Sequence, residues 1–274
     1  MENSDLHTHS FYSDGIFSPA DVVKKAKEAG IKNLALTDHN SIDGITEAQE
    51  EAKKQGINII PGIELRCKEG EVLGYFIDFK DKEFIKKIKR IQKKSKEVFE
   101  NSIKELNKRG INIKSEEVLD TKLKRNNVLI AYLFKFLKNK NQISIKEMKE
   151  FMKGDLFEPL FSTEEVIKMI NDAKGVAVLA HPWYSKTFLD EIRMKEFVKS
   201  GLKGIEINNG GKGEERLNSL EKIKKFAKEY NLILTSGSDF HEDSSNHKLG
   251  MNNCDEEIVN KLKKATLNNL KNNY

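Results

Sequence analysis

Cysteine is nearly absent: the 274 residues include only Cys67 and Cys254. Two thiols cannot staple a disulfide scaffold, and they lack the paired spacing of a zinc ribbon, so a reducing compartment is expected. No apolar run approaches the roughly 20 residues that cross a bilayer. Met1 to His9 has neither the basic stretch nor the apolar segment of a secretion signal. A cytoplasmic protein with no membrane partner is the expectation. No fixed-period repeat occurs, and the Lys/Asn bias of the last residues is only compositional, consistent with a solvated terminal helix. The excess of basic over acidic side chains, 48 against 43, is too small to imply nucleic-acid binding by itself. With 38% hydrophobic and 33% charged residues the chain can bury a full core, which excludes a disordered or fibrous protein.

The charge is unevenly distributed. Residues 81–160 carry 21 Lys and Arg against 12 Asp and Glu, whereas the remainder carries 27 against 31. Outside that block, short β-rich runs alternate with helical patterns: Leu34 to Leu36, Ile57 to Ile60, Val72 to Ile77, Val176 to Ala180, Ile205 to Ile207 and Leu232 to Leu234. Such alternation predicts an α/β protein built of parallel βα units. Ser18-Pro19-Ala20-Asp21 supplies a cap, a first-turn proline and a first-turn acid for one helix that Gly30 can end. Ser162-Thr163-Glu164-Glu165 forms a capping box for another that ends near Gly175. Within the basic block, Phe84, Ile88, Ile91, Val98, Phe99, Ile103 and Leu106 recur at helical spacing, and Val128 to Leu137 reads as a second apolar-faced helix. Residues 1–80 and 166–274 are therefore expected to form the main domain, and 81–165 a helical insertion.

Five of the six histidines stand at the ends of predicted strands. Asp5-Leu6-His7-Thr8-His9 ends the first, with His7 and His9 on one side by strand alternation. Thr37-Asp38-His39, Gly62-Ile63-Glu64, Ala180-His181-Pro182 and Ser238-Asp239-Phe240-His241 end later ones, and Asp14 follows in the Ser13-Asp14-Gly15 turn. In a barrel of parallel strands these ends surround one mouth. Imidazole and carboxylate without thiolate suit Mn, Fe or Zn, and more than four ligands imply more than one ion. Paired ions suit phosphate-ester hydrolysis, with a metal-bridging hydroxide as the attacking group and no side-chain acid identified.

These segments resemble those of the polymerase and histidinol phosphatase (PHP) family of metal-dependent phosphoesterases, and the resemblance spans everything outside the insertion. It implies a distorted (β/α)7 barrel with two or three divalent ions. By that resemblance His7, His9, Glu64 and Asp239 would hold one ion, Asp14, His39 and His241 a second, and Glu64 with His181 a third. The family's usual histidine three residues before the glycine of Glu71-Val72-Leu73-Gly74 is Glu71 here, a carboxylate candidate for the third ion whose bland alternative is a solvated strand edge. The position of the insertion resembles the branch of nucleoside 3′,5′-bisphosphate phosphatases and 5′-to-3′ exoribonucleases. Two features depart from that branch: Leu129 replaces a histidine within Arg125 to Ala131, and Gln92-Lys93-Lys94-Ser95-Lys96 replaces an arginine-rich run.

A small phosphorylated substrate, a nucleotide above all, is expected. Short single-stranded RNA or DNA is the alternative that the basic insertion raises, followed by a histidinol-phosphatase-like activity and a non-catalytic metal module. Arg66, two residues after Glu64, could grip phosphate or merely line the rim. Cys67, of opposite parity, is expected in the wall, His247 in a solvated loop, and Trp183 and Tyr184 either against the wall or stacked on a base.

Overall fold

The computed structural model describes residues 3–119, 130–140, 143–152, 157–185, 190–208, 214–243 and 248–271. Seven strands form the barrel: β1 (Asn3–Thr8), β2 (Ile31–Leu36), β3 (Asn58–Arg66), β4 (Glu71–Tyr75), β5 (Val176–Leu179), β6 (Gly204–Asn208) and β7 (Ile233–Ser236). A two-residue β8 (Cys254–Asp255) pairs antiparallel with β1. The sheet order is β7-β6-β5-β4-β3-β2-β1-β8, and a parallel bridge between Thr8 and Phe240 nearly closes the ring. The expected mixed α/β barrel is thus present.

The strands are not all parallel. β4 runs antiparallel to both β3 and β5. Only residues 67–70 separate β3 from β4, whereas a parallel connection needs a crossover of about a dozen residues. The short link forces a hairpin. Its consequence is functional: the first residue of β4, Glu71, pairs with Arg66 and so lies at the same end of the barrel as the carboxyl ends of the other strands.

Helices α1 (Pro19–Glu28) and α2 (Ile45–Gln55) follow β1 and β2. Ser18 caps α1 by accepting from the Asp21 N–H, with Pro19 in the first turn. α3 (Lys82–Lys108) starts at the Asp81 cap and is followed by α4 (Ser115–Val118), α5 (Ile130–Asn139) and α6 (Ile145–Phe151). α7 (Thr163–Asp172) begins at Ser162 with the expected capping box to Glu165. α8 (Glu191–Lys199), α9 (Glu214–Tyr230) and α10 (Glu256–Lys271) follow. No helix among the described residues is long and apolar enough to cross a membrane.

Inside the barrel, Leu6, Ala35, Ile60, Leu73, Tyr75, Val176 and Val178 pack against Val259 and Leu262 of α10. The terminal helix is therefore not simply solvated. Val259 and Leu262, with Ile258 and Ala265 beside them, form one apolar face among the lysines, and each fully buried side chain contributes ~1.5–3 kcal/mol. α3, about 40 Å long, is shared between two cores. Phe84, Ile88 and Ile91 join the layer between strands and outer helices, while Phe99, Ile103 and Leu106 pack with Ile113, Leu133, Phe134 and Leu137 in a separate cluster.

Candidate metal centre

Three local devices carry the strand-end residues into the mouth. First, the register of β1 on β2 slips between Asp5 and Thr8, so Leu6 packs in the interior while His7 reaches the mouth. Irregularities of this kind re-aim side chains at barrel rims. Second, Gly237 lies so close to β1 that a Cβ there would stand 2.3 Å from the His7 backbone nitrogen, and no larger residue fits. Third, Asn40, His181 and Asp239 all have positive φ, a conformation costly for L residues that the surrounding structure must hold in place.

Buried carboxylates supply that support. Asp38 accepts from the Ser10 N–H and the hydroxyls of Ser10 and Ser13, each at 2.7 Å, fixing the loop that carries Asp14. Asp5 accepts from the Ser238 N–H at 2.9 Å and the Gly250 N–H at 2.7 Å, fixing the turn that carries Asp239. Glu206 of β6, seen in the sequence only as part of a strand, lies beside His7 and His181. A lone carboxylate between Ile205 and Ile207 was the available signal.

The strand-end residues converge. Glu64 is central: its Oε2 lies 3.2 Å from His7 Nε2, 3.4 Å from His9 Nε2 and 3.0 Å from His39 Nδ1, and its Oε1 lies 3.0 Å from His181 Nε2. Asp239 Oδ1 sits 3.4 Å from His7 Nε2 and 3.2 Å from His9 Nε2. Asp14 is 3.1 Å from His241 Nε2 and 3.8 Å from His39 Nε2. Glu71 reaches the same space, 3.6 Å from His39 Nδ1 and 3.5 Å from His181 Nε2, which is not the placement of a solvated edge. Four overlapping sets bring their donor atoms within 4.8 Å of one another: His9, Asp14, His39 and His241; His7, Glu64 and His181; His7, His9 and Asp239; and His39, Glu64 and Glu71.

The electrostatics follow from five imidazoles facing these carboxylates in a buried space. Burial opposes charge on His7, but Glu206, Glu64 and Asp239 outweigh it and raise its pKa well above 6.5. His181 and His241 are likewise pushed up to about 9 against burial, by Glu64 and Asp14 respectively. His9 goes the other way, to about 3, through burial and then the neighbouring His241, whose ring stacks on it at 4.1 Å. Glu64 and Asp14 are held below the ordinary carboxylate range by the facing histidines despite burial. Glu71 is raised, by burial and by Glu64.

This donor set fits divalent ions. His9 Nε2 and Asp14 Oδ1 are buried without a hydrogen bond of proper geometry among the described residues, although carboxylate oxygens of Glu64 and Asp239 and the His241 Nε2 lie within 3.1–3.4 Å of them. A cation satisfies such atoms where a proton does not. Neutral imidazole is the ligand form, so an ion held by His181 or His241 would displace protons from them. Affinity is therefore expected to rise from pH 7 to about 9. Calorimetric titration in two buffers of different ionisation enthalpy at pH 7 will show net proton release on binding; identical heats would contradict it.

A cleft opens beside the cluster. Asp14, His39, Glu71 and Arg66 line its barrel side, while Ile91, Lys94, Ser95, Val98 and residues 157–161 line the other. Helices α3 and α5 are tied to the mouth where Gln92 Nε2 donates to the Asn40 carbonyl and Lys135 pairs with Glu242 at 3.1 Å. Cys67 packs in the wall as expected, its thiol pushed up to about 12 by burial. Trp183 packs against the barrel's outer core, edge-on to His181. The Tyr184 side chain, His247, and Arg125 to Leu129 lie outside the described residues.

The family profile of the PHP domain matches residues 5–234. A 5′-3′ exoribonuclease from Haemophilus influenzae is 30% identical over 266 residues, 90% of this chain and 93% of that one. A 3′,5′-nucleoside bisphosphate phosphatase from Chromobacterium violaceum is 27% identical over 261 residues, covering 88% of both chains. A solved structure from Bifidobacterium adolescentis, provisionally described as a metal-dependent phosphoesterase, superposes with a TM-score of 0.83 over 96% of both chains at 22% identity, a likeness of fold. With the profile spanning most of the chain and the His, Asp and Glu side chains gathered at the barrel mouth, this protein belongs to the PHP family of metal-dependent phosphoesterases, hydrolases acting on phosphoric ester bonds.

Proposed function

We propose that the chain removes a phosphate monoester from a nucleotide, a nucleoside 3′,5′-bisphosphate being the form that best suits the cleft. The observation that carries this reading is the two-sided lining: Asp14, His39 and Glu71 of the cluster face Lys94, Ser95 and apolar residues such as Phe161 across one opening. His7, His9, Glu64 and Asp239 would hold one ion, Asp14, His39 and His241 a second, and Glu64, Glu71 and His181 a third, with Glu64 shared. Bound divalent ions, drawn from Mn, Fe and Zn, supply Lewis acidity and lower the pKa of water.

The chain's own side chains do the rest. Arg66 binds the scissile phosphate at the cleft edge, where a guanidinium can pair with two oxygens. Lys94 and Ser95 take the second phosphate, and the apolar residues of the insertion cover the sugar and base and exclude water. Residues 81–165 act as a cap on the barrel. Excising the cap is a poor test, because Phe84, Ile88 and Ile91 belong to the barrel's outer core. Lys94→Ala is the better one. It should raise KM for a nucleoside 3′,5′-bisphosphate about tenfold, the worth of one charged hydrogen bond, and leave KM for an aryl phosphate unchanged. Equal effects on both substrates would defeat the two-phosphate reading.

A second reading, trimming of single-stranded RNA from its 5′ end, is favoured by the exoribonuclease relative and by the row Lys82, Lys86, Lys89 and Lys93 on one side of α3. Salt separates the two readings. A strand that contacts several lysines gives a log-log slope of about −0.7 per charge, whereas a mononucleotide gives a shallow one.

A further inference from the structure

Glu206 stands behind the cluster. It is fully buried in β6 between two isoleucines, where a carboxylate is costly unless its oxygens are engaged. Both are. Oε1 lies 3.0 Å from His7 Nδ1, and Oε2 accepts the backbone N–H of His181 at 2.8 Å. The two partners arrive from different strands, yet their rings lie nearly parallel with centroids 5.6 Å apart.

Each bond has a directional consequence. With Nδ1 donating to Glu206, His7 keeps its proton on that nitrogen and presents Nε2 to Glu64 at 3.2 Å and Asp239 at 3.4 Å. A hydrogen bond at one ring nitrogen determines which nitrogen is left as the ligand. At His181 the backbone is held at φ 24°, ψ 59°, a conformation the residue would leave if free. The bond to Oε2 restrains it there, where its Nε2 reaches Glu64 Oε1 at 3.0 Å.

We propose that Glu206 is a positioning residue, fixing His7 and His181 together so that one carboxylate in β6 sets the geometry of two ligands that share Glu64. This rests on the reading that the cluster holds divalent ions. The role requires two acceptors, one for each donor. Glutamine matches glutamate in size but offers one acceptor and one donor, so it must face either His7 Nδ1–H or the His181 N–H with an amide hydrogen.

The test is Mn²⁺ binding to the metal-free full chain by titration calorimetry, with histidine ¹⁵N spectra alongside. Glu206→Gln should bind at least one ion about 10–100-fold more weakly, the usual cost of losing such an orienting partner. A role in packing alone predicts unchanged affinity in this isosteric variant, and that result would overturn the proposal. Should the variant fail to fold, the wild-type spectrum decides. Loaded with diamagnetic Zn²⁺, His7 must carry its proton on Nδ1, and a proton on Nε2 would overturn the role. A wild-type chain that binds no Mn²⁺ would instead defeat the metal reading on which the proposal rests.

Discussion

Glu64→Gln protein will release phosphate from its substrate at least ~10³-fold more slowly than wild type while remaining folded. Among the described residues Glu64 is the one carboxylate within 3.4 Å of a nitrogen on each of His7, His9, His39 and His181. The amide keeps the shape but removes the charge, so ions that share Glu64 as proposed would lose their common anionic ligand. Stabilisation of transition-state charge by such ions is worth several kcal/mol, and each 1.36 kcal/mol is tenfold in rate. The fold should survive because the facing imidazoles can shed protons once the carboxylate that raised them is gone. Initial rates and a melting curve on the same preparation check both halves. A Gln variant with more than a tenth of wild-type activity would show that Glu64 is no ligand.

Stripping divalent ions with a chelator should abolish turnover and lower Tm by on the order of 10 °C without unfolding the chain at room temperature. An ion present at 1,000 times its Kd stabilises by ~4 kcal/mol, and each kcal/mol moves Tm by roughly 2–4 °C in a chain near this size. The metal-free chain holds together because raised imidazoles and depressed carboxylates neutralise one another. Those two groups set its pH dependence with opposite signs. The depressed carboxylates Asp14, Glu64 and Asp239 contribute stability that is fully present above their ordinary range and is lost as pH falls below it toward their depressed values. The raised imidazoles His181 and His241 contribute fully below 6.5, and that contribution is lost as pH rises to about 9. Ion binding strengthens over the same rise, so the Tm gap between loaded and stripped protein should widen from pH 6.5 to 9. Scanning calorimetry across that window measures it, and a constant gap would mean that these histidines do not exchange protons for ions.

The strand-end residues were legible because each is a polar side chain closing an apolar run, and a parallel strand's carboxyl end can face only one mouth. Direction was not legible for β4: Val72 to Ile77 reads the same either way, and only the length of the 67–70 link reveals the hairpin that delivers Glu71. α10 was hidden by composition, since its lysines and asparagines mask Val259 and Leu262 on one face. For α3 the periodicity marks the buried face but not which of two cores that face enters, because both require the same spacing. Glu206 escaped for a different reason. A glutamate flanked by isoleucines matches an exposed position of an amphipathic strand as well as a buried one, and only the arrival of His7 from β1 tells them apart.

The most direct measurement is phosphate released from a nucleoside 3′,5′-bisphosphate by samples whose divalent-ion content is determined by elemental analysis at the same time. Wild-type chain carrying two or three ions should turn over, and stripped chain should not until ions are restored. Sustained turnover by a chain carrying less than a tenth of an ion per molecule would contradict the metal-dependent site at the barrel mouth.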